Sequence, residues 1–123
     1  MKLTAAGVVL TVLILIVTFY DVRREQPGAF AGEIMDSQCA ELGSHASMMK
    51  EQNFLTPTQC ALFCAHYRTP PGTFVLFNAA SKTIYQLSNQ EKIEPYVSEK
   101  VKISGAYDAA SKTIHVTAVT AVP

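Results

Sequence analysis

The hydrophobic positions of this chain follow two patterns, one continuous and one periodic. Residues 3–20 open on Leu3 and close on Tyr20 and hold no charge, and Val8, Val9, Leu10, Val12, Leu13, Ile14, Leu15, Ile16 and Val17 form their centre. At 1.5 Å per residue such a helix spans roughly 27 Å, enough for a thin bilayer core. Phe19 and Tyr20 stand where an interfacial aromatic belt is expected. A cleaved leader would end in small residues close behind the apolar run. Here the junction is Thr18, Phe19, Tyr20 and Asp21, and the small-x-small triplet Ala29-Phe30-Ala31 comes about ten residues too late for cleavage. We therefore expect an uncleaved transmembrane anchor over residues 1–22 and a linker over residues 23–31. A folded domain is then expected over residues 32–123. Lys2 before the span and Arg23 and Arg24 after it nearly balance the positive-inside vote. A leading segment this short is most simply left in the cytoplasm, with the domain exported.

Beyond the linker the pattern becomes periodic. Val101, Ile103, Gly105 and Tyr107 alternate with Lys100, Lys102, Ser104 and Ala106, which predicts a strand with one wet face. The hexapeptide Ala79-Ala80-Ser81-Lys82-Thr83-Ile84 returns letter for letter as Ala109-Ala110-Ser111-Lys112-Thr113-Ile114. Asn78 precedes the first copy and Asp108 the second, and both types start turns by bonding the backbone just ahead. β-rich runs flank each copy, so two hairpins are expected. Shared turn chemistry accounts for the echo without a duplication. Gly32-Glu33-Ile34-Met35 suits an opening strand. Thr56, Pro57 and Gln59 form a capping-box start for a helix ending near Tyr67, ahead of Pro70-Pro71-Gly72. Residues 43–53 are expected as loop or weak helix. A short helix is expected over residues 89–97, with Ile93 and Val97 four apart.

The resulting order is strand, helical excursion, strand, strand, helix, strand, strand. Without the excursion this is the order of an OB-fold, a five-stranded, partly open barrel. The fold class expected is mainly β: a five-stranded OB-like barrel preceded by one transmembrane helix. A helical excursion follows strand 1, and a short helix lies between strands 3 and 4. Residues 75–119, with Tyr85-Gln86-Leu87 and Lys100-Val101-Lys102-Ile103-Ser104-Gly105, look like small exported bacterial OB-fold domains. The opening Gly32-Glu33-Ile34-Met35-Asp36-Ser37-Gln38-Cys39, with the later Cys60 and Cys64, resembles an uncharacterised bacterial family of this type. The resemblance implies an exported barrel and is silent on chemistry.

Charge is 16% of 123 residues, below the usual ~25%, and the uncharged span is the local cause. Residues 32–123 hold 7 basic and 8 acidic side chains, a net of −1. That balance argues against nucleic acid, even though Lys82, Lys100, Lys102 and Lys112 lie near Tyr85 and Tyr107 in the sequence pattern. A solvated face accounts for these lysines.

The three cysteines carry the candidate chemistry. Cys60 and Cys64 share one face of the expected helix, a face that Phe63 and Tyr67 extend. In an exported domain disulfides persist. Cys39 is then expected to pair with Cys60 or Cys64, leaving one buried thiol, and the crosslink would contribute on the order of 3 kcal/mol. The alternative is a metal site. Cys39, Cys60 and Cys64 with His45 are ligands that zinc accepts, with His66 a weaker fourth choice because it lies round the helix from Cys64. Met48 and Met49 near His45 would suit copper(I), though paired methionines are more often packing. His115 is expected on a wet strand face. Asp36, Ser37 and His45 resemble a triad only in type. Glu33, Asp36 and Glu41 are expected as a solvated strand end.

No G-x-S-x-G, H-E-x-x-H or phosphate-binding glycine loop is present, so no enzyme and no small-molecule substrate are expected. The leading expectation is a non-catalytic accessory or interaction subunit of a larger bacterial membrane complex, for electron transfer or transport. It would be single-pass in the cytoplasmic membrane through residues 3–20, with membrane-protein partners and no cofactor. The alternative is a metal-binding module for zinc or copper, or a thiol-redox module, built on Cys39, His45, Cys60 and Cys64.

Overall fold

A computed structural model describes residues 26–123. The anchor expected over residues 1–22 lies outside them. Among the described residues no helix is long and apolar enough to cross a membrane.

The fold is mainly β. Its strands are β1 (Gln26–Asp36), β2 (Phe74–Asn78), β3 (Thr83–Leu87), β4 (Lys100–Asp108) and β5 (Thr113–Ala121). They close into a ring in the order β1-β2-β3-β5-β4. Neighbours are antiparallel except β3 and β5, which meet in parallel through Gln86 with Thr113 and Leu87 with Ile114. Three helices fill the excursion between β1 and β2: α1 (Ser37–Leu42), α2 (Ala46–Gln52) and α3 (Pro57–His66). A fourth, α4 (Gln90–Ile93), runs into a 3-10 turn over Glu94–Tyr96 between β3 and β4.

β1 begins six residues before the expected domain start, so Gln26-Pro27-Gly28-Ala29 is strand and not linker. The reason is partnership. Residues Gln26 to Glu33 pair with β4, whereas β2 joins only from Glu33 onward. The first half of β1 is therefore an edge, where the missing N–H of Pro27 leaves no ladder bond unmade. Phe30 anchors this half against Tyr85 and Tyr107, with ring centroids 5.3 and 5.7 Å away. At the crossover stands Gly32. A Cβ there would lie 2.5 Å from the Phe77 carbonyl oxygen, so only glycine lets β1 pass from one partner to the other.

The expected hairpins are present. Asn78 Oδ1 accepts from the Ser81 N–H, and Asp108 Oδ1 accepts from the Ala110 N–H, so each turn is started by its own Asx side chain. β4 buries Val101, Ile103 and Gly105 and exposes Lys100 and Lys102, as its alternation predicts. Ile34, Leu76, Leu87, Ile93, Val101, Ile103 and Ile114 meet in the barrel interior. Ile93 and Val97 bring the α4 segment into that core, as their spacing predicts. Gln90 bonds the Phe74 N–H and the Phe74 and Leu87 carbonyls, satisfying strand-end groups that would otherwise be orphaned.

Candidate metal centre

Where they pair, the end of β1 and the start of β2 bury both of their faces. Ile34 pairs with Leu76 in the register and Met35 with Val75. Because successive side chains point to opposite faces, Ile34 and Leu76 enter the barrel while Met35 and Val75 enter a second core. That second core lies beneath the excursion helices and holds Met35, Cys39, Met48, Cys60 and Cys64.

Local rules position each member. Asp36 ends β1 and caps α1, its Oδ1 accepting from the N–H groups of Gln38 and Cys39 at 3.1 and 3.0 Å. The cap directs α1 so that Cys39 and Ala40 are buried. Gly43 closes α1 in the left-handed conformation at φ 75°, and the chain turns through Ser44 to His45. α3 starts on the expected capping box, with Thr56 and Gln59 bonding each other's backbone and Pro57 in the first turn. It presents Cys60, Ala61 and Cys64 inward. Tyr67, expected on that buried face, caps the helix and is 77% exposed instead, because the helix ends one residue before it.

One ligand atom from each of Asp36, Cys39, His45 and Cys60 lies within 4.8 Å of the others, and all four residues are buried. Cys39 Sγ and Cys60 Sγ are 3.8 Å apart. All three cysteines are free thiols. Of the two partners expected for Cys39, it is therefore Cys60 that stands beside it, at nearly twice the ~2.05 Å of a disulfide. Two thiolates on a tetrahedral zinc with 2.3 Å bonds would sit about 3.8 Å apart. The same separation is ordinary contact between thiols, so this distance alone does not choose.

The polar atoms add a second observation. Asp36 Oδ2 and His45 Nδ1 are buried and meet no partner at full hydrogen-bond geometry, although the Cys39 thiol faces the Asp36 carboxylate as a weak donor. Buried polar groups are nearly always satisfied, and leaving one unpaired costs about 1–3 kcal/mol. Two such atoms beside two thiols are of the types that could together ligate a metal ion. His45 Nε2 lies 3.3 Å from Glu33 Oε1. A proton on Nε2, donated to that carboxylate, leaves the Nδ1 lone pair free. This is the carboxylate–histidine arrangement that orients metal-binding imidazoles.

The site disfavours bare thiolates. Burial, reinforced by the Asp36 carboxylate, pushes the Cys39 thiol far up. Burial also raises Cys60. Cys64 is pushed up to about 11 by burial and then by Asp36, against the pull of Arg68. Without a cation the thiols keep their protons at neutral pH. A metal ion would displace them, as thiolate ligation requires.

The cluster differs from the expected ligand set in one member. Asp36 takes part, although it was expected at a solvated strand end; it is fully buried because the excursion folds back over β1. Cys64 is in the same core but outside the four. Four residues along a helix is about 6 Å of rise, which carries it past the cluster. His66 is exposed and pairs with Glu94 at 3.0 Å, and His115 lies on an exposed face of β5. Glu41 is exposed, Met48 accepts from Arg68 Nη1 at 3.2 Å, and Met49 lines a neighbouring cavity. The signal for Asp36 is local: an N-cap aspartate three residues before a cysteine places both at one helix start.

No protein-family model, curated protein or solved structure matches the chain.

Proposed function

We propose that this chain is a non-catalytic metal-binding module of the exported, OB-like barrel type, tethered to the cytoplasmic membrane through residues 1–22. The observation that carries the reading is the pair of buried atoms short of a full hydrogen bond, Asp36 Oδ2 and His45 Nδ1, beside the Cys39 and Cys60 thiols. Two sulfurs, one nitrogen and one oxygen form a tetrahedral set suited to zinc. The carboxylate favours zinc over copper(I), which prefers soft ligands throughout. Four protein ligands leave no open position for a reacting water, so the ion organises the excursion and is not a catalyst. As an accessory subunit of a membrane complex, such a module presents the excursion helices to its membrane-protein partners.

The test is metal analysis and thiol counting on the full chain, purified in mild detergent under reducing conditions and reconstituted with zinc. One ion per chain is expected, with Cys39 and Cys60 protected and Cys64 reactive only after denaturation. Failure to retain zinc in stoichiometric amount overturns the reading. A second reading rests on the 3.8 Å approach of Cys39 and Cys60. In an oxidising compartment the pair closes into a disulfide, with Cys64 left as the single thiol. Two protected cysteines that reductant releases and chelator does not are the signature of that form.

A further inference from the structure

An open cavity of about 810 Å³ adjoins the cluster. Its wall includes Glu33, Met35, His45, Met49 and Lys100. Of the four clustered residues, only His45 lines it. Asp36, Cys39 and Cys60 are all 0% exposed, while His45 is 8% exposed. An incoming ligand therefore meets the His45 side of the site first.

His45 is also the member held least firmly. Asp36 caps a helix, and Cys39 and Cys60 lie within helices. His45 follows Gly43 and Ser44 in the turn between α1 and α2, and its side chain makes no capping bond. Gly43 has open space around it and a left-handed φ. Removing His45 from an ion thus needs only a short turn to shift, whereas removing either cysteine needs a helix to move.

We infer that the cavity is an exchange port, through which an anionic thiol donor takes the metal by displacing His45. This rests on the metal reading proposed above. The chemistry is ligand substitution: the metal–Nδ1 bond breaks, a metal–sulfur bond forms, and no electron changes hands. The imidazole leaves neutral, its Nε2–H still donated to Glu33. Met35 and Met49 line the path with thioethers, which a thiophilic ion tolerates. Lys100, opposite Glu33 in the β1–β4 register, gives the wall a cation that favours a thiolate donor. The module is then a reversible carrier of its ion and not a permanently filled structural site.

The experiment loads the full chain, in mild detergent, with cobalt(II) and follows the thiolate-to-cobalt absorption as dimercaptosuccinate is added. The transfer rate should rise in proportion to dimercaptosuccinate. Ala31→Trp in β1 and Ala79→Trp in the β2–β3 turn both fill the cavity from its wall, and neither residue is a ligand. Each should slow transfer at least 10-fold while the cobalt affinity stays within about 3-fold of the parent. Two variants on separate elements keep a folding defect in one from deciding the result. Transfer that is independent of dimercaptosuccinate concentration, or unslowed in both filled variants, overturns the port and leaves the metal site standing. A chain that takes up no cobalt overturns the metal reading and this one together.

Discussion

Two cores share the wall formed by β1 and β2, and they are built from different atoms. None of the ten buried residues of the barrel core carries sulfur, whereas five of the eight in the outer core do. Hydrophobic burial does not require that split, since cysteine and methionine pack much as other apolar side chains do. The barrel core is volume to be filled, and any well-fitting aliphatic set would serve it. The outer core adds a buried aspartate and a buried histidine, each with one atom lacking a hydrogen bond at full geometry, as Ser98 Oγ also lacks one elsewhere. The contrast marks the outer core as the place where the proposed function would reside.

Substitutions should separate the two cores in the same way. The largest effect is expected in the barrel. Leu76→Ala removes a fully buried side chain and should cost about 2–5 kcal/mol in urea unfolding, equally with and without zinc. Next comes Cys39→Ser. The parent should gain about 2.7 kcal/mol at zinc 100-fold above its dissociation constant, and the variant should lose that gain. If Leu76→Ala also removed the zinc response at a denaturant level where it stays folded, the two cores would be one unit and the comparison would fail.

A smaller effect belongs to Glu33, which touches the site only through His45. Glu33→Ala should weaken zinc binding about 10–100-fold, the usual range for an outer partner of a metal-bound histidine, with unfolding of the metal-free chain little changed. Competition with a chelator of known affinity measures it.

The mildest probe is pH. Cys64 is raised from 9.0 to about 11 in the folded chain, so the folded state holds its proton where the unfolded state releases it. Stability of the reduced, metal-free protein should therefore be intact below pH 9 and fall progressively as pH rises from 9 towards 11. Cys64→Ala should make that part of the curve shallower by roughly a third without flattening it, because Cys39 and Cys60 are raised by burial as well. A curve of unchanged slope would place the titration elsewhere.

Much of the barrel is legible in the residues because its signals are local. The Asx turns at Asn78 and Asp108, the capping box at Thr56 and the alternation of β4 each act within a few positions. The first half of β1 is not legible, since Gln26-Pro27-Gly28-Ala29 carries no alternation and becomes strand only because β4 offers it a partner. At the site, Cys39, Cys60 and His45 are recognisable by type. Asp36 is readable as an N-cap near Cys39, but its burial is not, because that depends on three helices folding back over β1. α1 escapes for the same reason: six residues make a helix too short to stand without its cap and its packing.

The early start of β1 also fixes where the barrel can go. With an anchor ending at residue 22, only residues 23–25 separate the bilayer from the first ladder bonds at Gln26. Three residues reach at most about 11 Å. Under the proposed anchor the domain would be leashed so closely that it would sweep a layer little thicker than itself. Its encounters would become two-dimensional: a donor or acceptor of metal would have to ride in the same membrane or skim its surface, and the local concentration of such neighbours, more than bulk affinity, would decide whom it meets.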